Sequence, residues 1–486
     1  MTARHFGIDT LVRTNAVLHA RRPAVVDGAL RLTWAELDAR ADRLADHLLA
    51  RGIGPGDRVA LLLVDGAAFL ELLIACARVG AVAVTLNWRL AAAEIGWILG
   101  DAAPAVVFHS PRYEPLLAEA PGVETFAVVE PYSAASAYHA LATGHAEPCP
   151  RPAPDPARAL YMMYTSGTTG RPKGCLQSDA GTAIAGMAFA IRHAFRAEER
   201  LLSTNPLFHV AGMHQAMAML ACGGCCVFPA RDDDPLAIRE LALRERCTTG
   251  SAVPQIIVPW RDSDPLPDWR TYTTGAGTGR PRFWEWLAEG WGTRVIGGYG
   301  QTEIGGFATF IDYADMLEAP GSIGWPMAHV AMAILDPDGN ELPDGEEGEI
   351  ALRGASVMLG YWNNPARAAR GGHRQRHQRP CHRAARGRAG LLCDQGGIAQ
   401  LHPGDPRTTC GHAGPRGRGL APGGRDPDDR RAHRQQDEAR GMRAPDPPRH
   451  RTRPARGERG HGQAAPGGQL GLALARPQDN VALLMR

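Results

Sequence analysis

The stretch Tyr164-Thr165-Ser166-Gly167-Thr168-Thr169-Gly170-Arg171-Pro172-Lys173-Gly174 decides how this chain folds, and it follows directly on an apolar run at 160–163. Four such residues without polar alternation read as a strand buried on both faces, as in parallel sheets covered by helices. A turn of small residues comes next. Gly167 and Gly170 let backbone N–H groups point inward as a nest for an anion. The hydroxyls of Thr165, Ser166, Thr168 and Thr169 add donors, and Lys173 adds a point charge suited to phosphate. The run is not a Walker A loop, because Lys173 stands three residues after Gly170 and is followed by Gly174 rather than Ser or Thr.

On the N-terminal side the same α/β grammar continues. Thr33-Trp34-Ala35-Glu36 is a capping box, after which Trp34, Leu37, Ala41, Leu44 and Leu48 recur at helical spacing until Gly52. A turn at Gly54-Pro55-Gly56-Asp57, a strand at 59–64, a helix near 67–78 and a strand at 81–86 follow. Five prolines at alternate positions within 147–156 read as an extended linker. On the C-terminal side, Asp336-Pro337-Asp338-Gly339-Asn340 and Pro343-Asp344-Gly345 mark chain reversals before a strand at 349–353, so this stretch reads as a smaller β unit. The expected fold is α/β: a large N-terminal domain over 1–365, made of doubly wound βαβ subdomains plus a small β-barrel-like unit.

The chain of 486 residues, too long for one core, changes character near residue 370. Residues 1–369 hold 30 Lys and Arg against 41 Asp and Glu, whereas 370–486 hold 23 against 10. The latter segment has 20 Gly and 12 Pro, no Phe, Tyr or Trp, and 11 Leu, Ile and Val together, too few for a packed core. Residues 366–486 are therefore expected to be aberrant and disordered. One reading of them is a basic arm for nucleic acid, but stacking aromatics are lacking. The favoured reading is a shifted frame in GC-rich DNA, so nucleic acid is not an expected partner. The longest apolar run, 67–86, is broken by Glu71, Arg78 and Gly80, so no membrane span is expected. Ten cysteines without small-domain spacing point to reduced thiols and a cytoplasmic location. Cys222-Gly223-Gly224-Cys225-Cys226 reads as strand, turn and strand, with no second Cys/His pair to complete a zinc site.

Four further segments follow the 164–174 run in order. They are Asn205-Pro206-Leu207-Phe208-His209-Val210-Ala211-Gly212, Thr274-Gly275-Ala276-Gly277 and Gly298-Tyr299-Gly300-Gln301-Thr302-Glu303, then Gly348-Glu349-Ile350-Ala351-Leu352-Arg353-Gly354 with Gly360-Tyr361-Trp362. Together they resemble the ordered motifs of the adenylate-forming (AMP-binding) superfamily, of acyl-CoA synthetase type, over about residues 15–365. The resemblance implies ATP-dependent activation of a carboxylic acid to an acyl adenylate, with Mg²⁺, and transfer to CoA. It assigns Thr165, Ser166, Gly167, Thr168, Thr169, Gly170 and Lys173 to the phosphates, and Gly275, Ala276 and Gly277 to the edge of the adenine. Tyr299, Gly300, Gln301 and Thr302 join the nucleotide site, Tyr299 by stacking on adenine and Thr302 by bonding the α-phosphate. Glu303 is the implied Mg²⁺ ligand, since a hard cation prefers carboxylate oxygen. His209 is the implied aromatic gate between acyl pocket and nucleotide. Lys173, Thr302, Glu303 and His209 are thus the catalytic candidates.

Amino-acid-activating relatives place an Asp in the segment at 205–212, because a buried ammonium needs a paired charge. None stands here, and Met213, Met217 and Met219 suggest an adaptable apolar pocket, so a fatty, branched or aryl acid is expected. Lys173 is the chain's one lysine against 52 arginines, and no Thr-Gly-Asp follows Trp362. The family's ribose-binding Asp and late catalytic lysine thus have no counterpart, which predicts impaired turnover. The alternative is a nucleotide- or nucleic-acid-binding remnant without ligase turnover.

Overall fold

The computed structural model describes residues 6–120, 122–129, 136–153, 155, 157–165, 171–275 and 281–364, with three short strands beyond them. The expectations for Ser166, Gly167, Thr168, Thr169, Gly170, Ala276 and Gly277, and for most of 366–486, fall outside the described residues.

Helix α1 (Ile8–Leu18) leads into β1 (Pro23–Asp27), β2 (Leu30–Thr33) and α2 (Trp34–Ala50). The capping box is formed: the Glu36 N–H donates to Thr33 Oγ1 (3.3 Å) and the Thr33 N–H to Glu36 Oε2 (2.8 Å). Strands and helices then alternate through β3 (Arg58–Leu62), α3 (Ala67–Val79), β4 (Val82–Thr85), α4 (Ala92–Ala102), β5 (Val106–His109) and β6 (Glu124–Ala127). After α5 (Ala137–Thr143) the proline linker runs along α2, where the Cys149 N–H (2.9 Å) and Arg151 (2.6 Å) both donate to Asp46 Oδ1. It delivers the chain to β7 (Ala159–Thr165) and β8 (Lys173–Ser178).

The next βα units comprise α6 (Asp179–His193), β9 (Arg200–Ser203), α7 (Val210–Cys222), β10 (Cys225–Phe228), α8 (Pro235–Arg244), β11 (Thr249–Ser251) and α9 (Pro254–Ile257). They end with β12 (Thr271–Thr274), β13 (Arg294–Gln301), β14 (Gly306–Asp312) and α10 (Tyr313–Glu318). The β unit adds β15 (Ser322–Pro326), β16 (Val330–Leu335), β17 (Glu347–Gly354) and β18 (Gly360–Tyr361). Three last strands, β19 (His373–Gln375), β20 (Cys381–Arg383) and β21 (Leu391–Cys393), pair with β17 or β15, so strand pairing runs past residue 365.

Two sheets result. The first has the order β18-β8-β7-β4-β3-β5-β6, parallel from β7 to β6 with an antiparallel edge. The second includes β13-β12-β11-β9-β10-β1 as a parallel core, and the β unit continues from β14. Helix α3 is buried along its whole length, touching β4 and β7 of one sheet and β1 of the other, and a helix apolar on all sides belongs in such a place. Its two charges are paired: Glu71 accepts from Arg40 Nε and Tyr138 Oη, and Arg78 Nε donates to Asp9 (2.7 Å). No helix among the described residues is long and apolar enough to cross a membrane.

The cysteine-rich stretch departs from its expected form. Residues 210–222 are helical, since Ala, Met, Leu and Gln favour helix over strand, and Gly223 (φ +78°) ends α7 before β10 starts at Cys225. No group of three or more His, Cys, Asp or Glu among the described residues is placed to hold a metal.

Candidate active site

Parallel strands leave their loops at the carboxyl edge of a sheet, where α/β proteins gather ligands. Here the ends of β9, β11, β12 and β13 enclose a cavity of about 440 Å³. Its walls are apolar side chains, Val210, Ala211, Ala252, Val253, Pro254, Ile256 and Phe307, with Gly298, Gly300 and Gly306 along one side. The glycines are required. A Cβ at Gly306 (φ +135°) would lie 2.1 Å from His214 Nδ1, and one at Gly300 would lie 1.9 Å from the Gly306 carbonyl oxygen. The polar lining consists of Thr204, Asn205, His209, Ser251, Thr274 and Arg89, so no carboxylate among the described residues lines the cavity. The Asn205 amide donates to Ser251 Oγ (2.9 Å), which pins the β9 loop to the β11 loop.

His209 stands at this cavity as the N-cap of α7, its Nδ1 accepting from the Ala211 N–H (3.2 Å). Enclosure and the nearby Arg89 guanidinium hold its imidazole below the usual value, which favours the neutral form. Behind the wall, His214 is fully buried. It donates from Nε2 to the Ala185 carbonyl (2.8 Å) and accepts at Nδ1 from the Phe307 N–H (2.9 Å), and burial pulls its pKa down to about 4.

The charged residues meet elsewhere. Lys173 opens β8, opposite Thr165 of β7, and Gly174 is kept bare because a Cβ would lie 2.6 Å from Met162 Sδ. β13 ends in one tight turn, Thr302–Ile304, whose carbonyls accept from Gln177 Nε2 (to Thr302, 2.6 Å) and Ser356 Oγ (to Ile304, 2.7 Å). Glu303 Oε1 accepts from the Tyr361 hydroxyl (2.8 Å), and Lys173 Nζ sits 5.7 Å from the centre of the same ring. Lys173, Glu303 and Tyr361 thus come from three separate segments to one place. A hard carboxylate oxygen near an ammonium group suits a cation that arrives with phosphates, taking its other oxygens from them and from water.

The remaining candidates divide. Gly275 and Gly300 line the cavity. Tyr299 is 8% exposed and packs with Ile304, Ile334 and Leu352. The three methionines do not line the cavity: Met213, Met217 and Met219 face the core, because the buried sides of α7 carry them into its packing against α6 and β9. Two residues carried no motif signal of their own. Arg89 lies in the turn after β4 and stacks 4.5 Å over Trp88, and Ser251 ends β11; only their positions past the carboxyl edges of their sheets pointed to them.

A profile described as AMP-binding enzyme matches residues 12–362. Feruloyl-CoA synthase of an Amycolatopsis species is 33% identical over 376 residues, covering 75% of this chain and 74% of that protein. A long-chain-fatty-acid–CoA ligase of Mycobacterium tuberculosis is 33% identical over 371 residues, 74% of this chain and 72% of the other. Among solved structures, the inhibitor-bound N-terminal domain of FACL13 from Mycobacterium tuberculosis matches with a TM-score of 0.70 and 30% identity, over 78% of this chain and 96% of that one. Since the matched span takes in both sheets, the cavity and the meeting point of Lys173 with Glu303, the chain belongs to the AMP-binding enzymes.

Proposed function

We propose that this chain carries the large domain of an AMP-forming acid–thiol ligase whose substrate is a fatty, branched or aryl acid without an α-amino group. The observation that carries the reading is the convergence of Lys173 and Glu303 on Tyr361, together with a separate cavity whose described lining holds no carboxylate. Adenylation asks a carboxylate oxygen to attack the α-phosphorus of ATP while pyrophosphate leaves with the bonding electrons. The protein supplies positioning and charge. Lys173 and the backbone of 165–170 would hold phosphate oxygens, Thr302 would bond the α-phosphate, and Glu303 would be the residue that holds Mg²⁺. The metal, when bound, offsets charge developing on those oxygens. Gly275, Ala276, Gly277, Tyr299, Gly300 and Gln301 border the nucleoside, and His209 separates acid from nucleotide. A buried ammonium would find no carboxylate among the described lining residues to balance its charge, which selects against amino acids.

In the second half-reaction a CoA thiol attacks the acyl carbonyl carbon and AMP leaves. With Lys173 the one lysine in 486 residues, a second ammonium for the α-phosphate is missing, and turnover is reduced. Labelled pyrophosphate exchange into ATP with ferulate, indoleacetate and palmitate tests the reading. Slow exchange that depends on the acid and on Mg²⁺, with little acyl-CoA formed, is the expected result. Exchange with amino acids, or none with any acid, overturns it. Nucleotide binding without exchange would favour the remnant reading.

A further inference from the structure

We infer that Tyr361 is a positioning residue that orients Glu303 for the metal, an inference resting on the nucleotide-binding reading above. β18 is two residues long, yet its place is strongly determined. Tyr361 pairs with Cys175 and Gly360 with Leu176, directly after Lys173 on β8. The Leu359 N–H donates to the Leu176 carbonyl (2.8 Å) and the Trp362 N–H to the Gly174 carbonyl (2.7 Å). The indole N–H of Trp362 reaches the Asp101 carbonyl (2.9 Å). From the same segment the Met358 N–H donates to the Glu303 carbonyl (2.8 Å), so backbone and side chain of Glu303 are both held by 358–361.

The phenol must be the donor, because an ionised carboxylate only accepts. The O–H donated to Oε1 orients the carboxylate without neutralising it, the task outer partners perform for metal ligands. The face of the ring meanwhile lies beneath the Lys173 ammonium, which favours that cation. One side chain therefore has two separable contacts: the hydroxyl addresses the metal ligand and the ring addresses the phosphate ligand.

The test uses the full chain and calorimetric titration with ATP, once with excess Mg²⁺ and once in EDTA. Tyr361→Phe keeps the ring and the β18 backbone bonds. It is expected to raise the dissociation constant for Mg–ATP about tenfold while metal-free ATP binding changes by less than about twofold. Tyr361→Leu is expected to weaken both. In a Glu303→Gln background, Tyr361→Phe is expected to add nothing. Equal loss with and without Mg²⁺ would mark a merely structural role and overturn the inference, as would wild-type affinity in Tyr361→Phe or an undiminished effect in the Glu303→Gln background. Absence of ATP binding by the wild-type chain under either condition would instead bring down the nucleotide-binding reading itself.

Discussion

The two halves of the site are built on opposite plans. The cavity at the ends of β9, β11, β12 and β13 is made by withholding: glycines where a Cβ would collide, apolar walls, and no acidic side chain among the described lining residues. The cluster at β8 and β18 is made by bringing charge together, with an ammonium and a carboxylate on one phenol. A space specifies its occupant by what it excludes, whereas a charge cluster specifies the charge that develops there. Substitutions should therefore act differently on the two: by filling or collapsing the first, and by removing a group from the second.

The largest expected effect strikes the cluster alone. Lys173→Ala should slow pyrophosphate exchange by roughly 10²–10³-fold, or about 3–4 kcal/mol, while binding of the carboxylic acid, followed by calorimetry, stays within about twofold. Equal loss of acid binding would erase the distinction between the halves. Acid comes next and acts on the cavity. His214 has a folded pKa of about 4, below its unfolded value near 6.5, so the folded state binds fewer protons between those values. The stability it contributes is complete above pH 6.5 and is lost as pH falls toward 4. The loss amounts to about 3 kcal/mol, visible as an earlier urea midpoint at pH 4.5 than at pH 7, and His214→Gln should flatten this dependence.

Gly306→Ala sharpens the contrast further. Strain at positive φ and the collision with His214 should cost about 2 kcal/mol of stability, read in denaturant titration, and reduce acid affinity, read by calorimetry. The smallest effect is a control lying in neither half. Thr33→Ala removes the α2 cap and should lower stability by about 1 kcal/mol in denaturant titration without touching either ligand.

Much of this architecture was legible from local signals. The capping box at Thr33, the helix from Ala67 and the turns before β17 each depend on neighbours within four residues, and all three stand where expected. The methionines of α7 misled because helical spacing places them on a buried face without saying whether a cavity or the core lies beyond it. Arg89 and Ser251 were missed for a related reason. Each is an ordinary residue made relevant by its place at the end of a strand (Ser251) or in the turn after one (Arg89), where the neighbours come from far along the chain.

The α/β class, the order of the motifs and the identity of the charged groups can all be read along the chain, because backbone preference, hydrophobic pattern and side-chain chemistry are properties of short stretches. Only the tertiary structure decided that Tyr361 joins Lys173 to Glu303 and that glycines 298, 300 and 306 border an open space. Those facts depend on sheet order and strand register. Register is set by the packing of whole layers, and no window of sequence contains it.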